Sequence, residues 1–173
     1  MPSTPDPVAD PASEQARHRN VAVVAQVLAA AGASGRVVEL ADAVRTAADA
    51  AAALSCEVAA IANSLVFMAD GDPVLILTSG AHRVDTARVA NLLGVGRLRR
   101  ATPDQVRAAT GQPIGGVAPV GHPQPVRTLV DVALREFPVV WAAGGIPHAV
   151  FPTTFEELVR ITGGEPVTVT PEG

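Results

Sequence analysis

The residues best suited to chemistry lie between Thr110 and Pro123, TGQPIGGVAPVGHP. Gly111, Gly115, Gly116 and Gly121 are interleaved there with Pro113, Pro119 and Pro123, and His122 stands near the end. Glycine permits positive φ and close backbone approach; proline fixes φ and removes an N–H. A loop so composed is rigid, yet it presents main-chain N–H groups. Such groups can hold a carbonyl, an ester or a phosphate oxygen without any charged side chain. A turn-rich connection between two strands accounts for the same spacing.

A second glycine pair, Gly144-Gly145, follows the apolar run PVVWAA and precedes Ile146-Pro147-His148. A hairpin turn is its first reading, and the opposite wall of one pocket its second. Asn63 and Ser64 interrupt the apolar run IANSLVFM. Strand alternation sends them to opposite faces, Asn63 beside Ile61, Leu65 and Phe67. A buried amide needs partners, so either a neighbour satisfies Asn63 or that face opens into a pocket.

Nucleophilic catalysis finds little support. Ser64 and Ser79 lack the G-x-S-x-G elbow. Cys56 reads as a small core residue. His82 lies close to Asp85, which reads equally well as the first-turn acid of a helix. His82, His122 and His148 each follow a turn signal, and none shows H-x-x-x-H spacing, so no metal site and no cofactor are expected. Arg97, Arg99 and Arg100 can contact phosphates, although three arginines on a short segment are more commonly a solvated edge.

The chain has 173 residues, 48% of them hydrophobic, 17% charged and 3% aromatic. One domain with an aliphatic core follows. The formal charge of −4 argues against a general polyanion binder, and every basic residue is arginine. No apolar run approaches the roughly 20 residues that cross a bilayer, so no membrane partner is expected. The opening MPSTPDPVADPASEQ lacks the pattern of a secretory signal. Its composition predicts a disordered tail over residues 1–16 and a folded domain over 17–173. The single cysteine excludes an internal disulfide and a multi-cysteine zinc site, and a cytoplasmic location is the default expectation.

The elements that must position these groups are short. Helices are expected at 20–31, at 47–54 behind Thr46, at 84–93 ending on Gly94, and at 103–110 behind a Thr102–Gln105 capping box. Thr153–Glu156 reads as another capping box, with its helix ending at Gly163-Gly164. Strands are expected at 36–40, 61–68, 73–78, 126–130, 138–142 and 166–170, with Asp70-Gly71 turning a hairpin. Strands and helices mix without a βαβ rhythm. The fold class is therefore α+β (α/β) around a mixed, mostly antiparallel sheet.

Taken in order, IANSLVF, GAHRVD, LGVGRLRRATPDQVRAATG, IGGVAPVGH, Asp131 and WAAGG resemble the YbaK family, whose relatives include the editing insertion of bacterial prolyl-tRNA synthetases. The similarity runs from about Val21 to Val169. It implies a single domain with a central barrel-like sheet flanked by helices. It also implies an aminoacyl-tRNA deacylase that hydrolyses the ester of a mischarged tRNA, such as Cys- or Ala-tRNA(Pro). The expected partners are the aminoacyl-tRNA acceptor end and an aminoacyl-tRNA synthetase. In the family the segment matching Gly115 to Pro119 holds the aminoacyl carbonyl, and no protein nucleophile takes part. Positioning and oxyanion donors can suffice for so labile an ester.

The resemblance implies catalytic roles for Gly115, Gly116 and Asn63. It implies substrate contacts for Ser64, Val117, Ala118, Pro119, Gly121, Gly144 and Gly145. His122 and His148 are added as replacement polar groups. The chain departs from the family pattern at three positions. Asn63 stands where a lysine is usual, Ala143 where a serine is common, and Val150 where an acid is common. The alternative is therefore a catalytically impaired module that binds an aminoacyl, nucleotide or protein ligand. A metal-dependent hydrolase using His82, His122 and His148 is a third reading.

Overall fold

A computed structural model describes residues 11–41, 44 and 46–171. Its elements run α1 (Pro11–Ala30), β1 (Val38–Glu39), α2 (Ala47–Leu54), β2 (Ile61–Ala69), β3 (Asp72–Ser79), α3 (Thr86–Leu93), β4 (Leu98–Arg100), α4 (Pro103–Thr110), β5 (Arg127–Asp131), β6 (Val140–Ala143), β7 (Ala149–Thr153), α5 (Phe155–Thr162) and β8 (Glu165–Val167). Residues 1–10 of the expected tail lie outside the described residues. Residues 11–16 are helical, so α1 begins well before Asn20, with Pro11 at a position helices tolerate.

The sheet order is β1-β7-β6-β2-β3-β5-β8, with β4 added beside β2. Four pairings are antiparallel (β1/β7, β2/β3, β2/β4, β6/β7) and three are parallel (β2/β6, β3/β5, β5/β8). The mixed sheet expected from the sequence is thus present. β2 and β3 form its longest ladder, Ala62 opposite Ser79 through Ala69 opposite Asp72. Asp70 and Gly71 turn it at φ 48° and 93°, a geometry that Asp and Gly tolerate best.

The two sheet faces carry separate cores, as period-2 alternation requires. Leu75, Leu77, Val130 and Phe151 pack with Val24 and Leu28 of α1 and with Phe155 and Leu158 of α5. Phe67, Val74, Ile76 and Leu129 pack with Val89 and Ala90 of α3 on the other face. α2 lays Ala50 and Ala51 against Ile61 in a third, smaller cluster.

Two strands depart from expectation. β4 was read only as a basic segment, and β7 (149–153) was not expected. Both are short, and pairing decides them, β4 on β2 and β7 between β1 and β6. The α5 cap is shifted by one residue. Thr154, not Thr153, accepts the Glu157 N–H at 3.1 Å, and the Thr153 hydroxyl bonds the Glu157 carboxylate at 2.8 Å.

Candidate active site

The site originates in a break in the pairing of β2. On one side β3 follows β2 along nearly its whole length. On the other, β6 pairs with Ile61 and Ala62, and β4 pairs with Phe67, Met68 and Ala69. Among the described residues no strand pairs with Asn63, Ser64 or Leu65 on that side. Each flanking strand is turned away by its own sequence. β6 ends at Gly144-Gly145, where Gly145 takes φ 108° and the chain doubles back into β7. β4 ends where Ala101 donates to the Val66 carbonyl at 3.0 Å and Thr102-Pro103 starts the capped helix α4.

A cleft of about 340 Å³ fills the break. Ligand pockets usually measure roughly 300–1,000 Å³, so this one suits a small group. Asn63, Ser64, Gly115, Val117, Ala143 and Val150 all line it. The three positions where the chain departs from the family pattern thus share one cavity. Most of the rest of the wall is aliphatic, including Ala47 and Ala50 of α2, Ala62, Val66, Ala101, Val106 and Ala142.

The glycine loop reaches the cleft through Ile114, Gly115 and Val117 only. Gly115 is exposed, with φ 85°. Gly116 donates to the Pro113 carbonyl at 3.0 Å, and Ala118 donates to Gln112 Oε1 at 2.7 Å. Those two amides are therefore committed within the loop. Among the described residues the Gly115 and Val117 N–H groups have no hydrogen-bond partner, and both residues line the cleft. Ala118, Pro119 and Val120 are buried and do not line it, and Ala118 and Val120 belong to the main core.

The second glycine pair proves to be both a hairpin turn and a structural neighbour of the first. A β-carbon on Gly116 would fall 2.5 Å from the Ile146 carbonyl carbon and 2.6 Å from Pro147 N. The two loops touch backbone to backbone, which only glycine allows. Gly144 and Gly145 do not line the cleft, whereas Ala143 before them and Pro147 two residues after them do. Gly145 packs on Asn20 of α1, whose side-chain amide donates to its carbonyl at 3.3 Å.

Asn63 is exposed rather than buried, so the open-face alternative is the one realised. Ser64 points to the main-core face, and its hydroxyl is buried without a hydrogen-bond partner. A nucleophilic serine needs an adjacent base, and none contacts it. Burial, seconded by the Glu57 charge, raises the Cys56 thiol pKa, which disfavours the thiolate; Cys56 does not line the cleft. Among the described residues no cluster of three His, Cys, Asp or Glu side chains could hold a metal ion.

Neither added histidine lines the cleft, and nor does Gly121. His122 bonds the Ala118 carbonyl at 2.8 Å. A carbonyl only accepts, so Nε2 carries the proton. Burial lowers the His122 pKa, partly offset by that bond. His148 is 9% exposed; its Nδ1 accepts from Arg17 at 3.2 Å, and its Nε2 lies 4.0 Å from Glu39. His82 pairs with buried Asp131 at 2.8 Å, remote from either histidine's partners. Sequence reasoning missed the α2 cap Thr46 and the α2 residues Ala47 and Ala50, together with Arg100, Ile114 and Trp141, as lining residues. The arginine run was the one available signal, and it lacked the β4 pairing that places it.

Fold and cleft together define a small mixed-sheet α/β domain whose cleft is lined by the glycine loop and by aliphatic side chains. Residues 41–161 match the aminoacyl-tRNA editing domain family, and the chain belongs to it. It is 40% identical over 75 residues to the proline--tRNA ligase of Nitratidesulfovibrio vulgaris, a match covering 43% of this chain and 13% of the ligase. The uncharacterized protein YwhH of Bacillus subtilis is 33% identical over 110 residues, covering 63% of this chain and 69% of YwhH. A crystal structure provisionally assigned as a trans-editing enzyme for prolyl tRNA synthetase superposes with a TM-score of 0.84 at 41% identity. That match covers 88% of this chain and 98% of the other. Among the described residues no helix is long and apolar enough to cross a membrane.

Proposed function

We propose that this chain is a trans-editing deacylase, cleaving the ester that links a small amino acid to the 3′ end of a mischarged tRNA. One observation carries the reading. The unpartnered Gly115 and Val117 N–H groups belong to residues that line the same 340 Å³ cleft as Asn63 and the orphaned Ser64 hydroxyl. Donors fixed in advance stabilise the oxyanion that forms when water attacks the ester carbonyl, at no reorganisation cost. Ser64 Oγ offers a hydrogen bond to a substrate group, since buried polar atoms otherwise find partners in the folded chain. Asn63 contributes a neutral amide where the family usually has a cation. The aliphatic wall suits Ala, Cys or Ser side chains, and such contacts separate them only weakly.

The relevant partners are the aminoacyl-tRNA acceptor end and a synthetase that makes the error. A panel of mischarged tRNAs tests the reading directly. Release of amino acid by the purified wild-type chain is expected, together with its loss in Gly115→Val, where a β-branched side chain meets φ 85°. A panel that yields no release from any substrate rules the reading out. The impaired-module alternative rests on Asn63. Asn63→Lys distinguishes it, because activity that appears only in that variant marks the native chain as a binder.

A further inference from the structure

We propose that Arg100 is the phosphate-binding residue of this cleft, supplying from β4 the positive charge that Asn63 cannot supply from β2. The inference deepens the editing reading and rests on it for the identity of the ligand, the phosphate joined to a terminal adenosine.

Among the described residues, Arg100 is the one charged residue lining the cleft. It is exposed, and among the described residues no carboxylate pairs with it. Asp70, at the adjoining β2–β3 turn, commits its two oxygens to the Gly96 and Arg97 N–H groups at 2.9 Å each. The Arg100 side chain is not a free tether. Arg100 stands opposite Phe67 in the β2/β4 ladder, and its guanidinium carbon sits 5.6 Å from the Phe67 ring centroid. Cation–π contact of this kind draws the guanidinium towards the ring. Its planar fork matches two phosphate oxygens at once, which an ammonium does not.

The charge is local. The chain as a whole is acidic at −4, so a cation at this mouth marks one spot for an anion. Arg99 is the natural contrast. It pairs with Met68, one position along the ladder, and alternation turns it to the other face; it does not line the cleft. Trp141, the chain's one tryptophan, does line it and offers an aromatic face to a base.

Isothermal titration with 5′-AMP, adenosine and inorganic phosphate tests the proposal, with Trp141 fluorescence as a second readout. The expected result is that 5′-AMP binds the wild-type chain at least tenfold more tightly than adenosine. Arg100→Ala removes that advantage, Arg100→Lys restores part of it, and Arg99→Ala leaves it unchanged. Equal affinity for 5′-AMP and adenosine, no detectable 5′-AMP binding, or an Arg100→Ala protein that binds 5′-AMP like wild type would each overturn it. Deacylation assays on the same proteins separate the two claims. An Arg100-dependent 5′-AMP site in a chain that releases no amino acid upholds the phosphate site and removes the enzyme. Wild-type deacylation that Arg100→Ala leaves intact, with 5′-AMP binding equally intact, keeps the enzyme and removes the phosphate site.

Discussion

Gly116 lies directly against Ile146, so close that a β-carbon on Gly116 would sit 2.5 Å from the Ile146 carbonyl carbon and 2.6 Å from its α-carbon. Both neighbours are backbone, and neither can yield as a flexible side chain would. This contact joins the two glycine loops, and it sets the position of the Gly115 and Val117 amides relative to the β6–β7 turn.

Gly116→Ala and Gly115→Ala should therefore separate cleanly. Overpacking at Gly116 is expected to cost about 3 kcal/mol, since one loop must move away from the other. At Gly115 the added carbon meets nothing within 4 Å, and only the φ of 85° is strained. That strain costs about 1–2 kcal/mol. Thermal unfolding should show the larger drop for Gly116→Ala, at roughly 2–4 °C per kcal/mol for a chain of this size. Equal drops would mean that the loops are not in rigid contact.

Much of the fold was legible because local chemistry and tertiary context agree. Thr46 with Asp49, and Thr102 with Gln105, form complete capping boxes where helices were expected. Asp70-Gly71 turns the hairpin as its residue types demand. Legibility failed where pairing rather than local preference decides. β4 and β7 are three and five residues long and exist because β2, β1 and β6 offer edges. The site shows the same division. The glycine loop and Asn63 were visible as motifs, whereas Arg100 and Trp141 reach the cleft only through strand pairing. His122 and His148 stood out by residue type alone, and the structure uses each to fasten a neighbouring segment.

Gln112 lies within the glycine-rich stretch and braces it from below. It is 2% exposed, its Oε1 accepts from Ala118 N at 2.7 Å, and its Nε2 donates to the Val120 carbonyl at 3.2 Å. One side chain thus satisfies two backbone groups of the loop and fixes its curvature below the cleft. Gln112→Ala should lose about 3 kcal/mol, because both partners are left unpaired in the interior. Denaturant unfolding measures that loss. Deacylation should fall further than the unfolded fraction explains, and a fall that merely tracks it would deny Gln112 any positioning role.

Acid should weaken the fold through His122. Burial holds its pKa below the ordinary 6.5, the Ala118 bond opposing this only in part. The unfolded chain therefore takes up the proton first as pH falls. Stability from this group is complete above about pH 6.5 and is lost as pH drops from there through the depressed folded value. His122→Gln keeps a donor for the Ala118 carbonyl and cannot titrate. Urea midpoints measured between pH 7.5 and 5 should fall more steeply for wild type than for His122→Gln. Parallel curves would exclude the burial of a neutral imidazole.

Asp131 belongs to the motif run that resembles the editing family, yet its contacts are those of a brace. It is 1% exposed, accepts from Ser79 N and Ala133 N at 3.0 Å each, and meets His82 Nδ1 at 2.8 Å. These bonds tie the end of β3 to the turn after β5, well outside the cleft-lining set. Removing the carboxylate leaves the buried Ser79 N–H and the half-buried Ala133 N–H without their acceptor. Asp131→Ala should accordingly cost about 3 kcal/mol or more in denaturant unfolding. The same variant, assayed well below its unfolding temperature, should keep the wild-type rate constant for deacylation per folded molecule. A selective loss of rate with stability unchanged would move Asp131 from the scaffold to the chemistry.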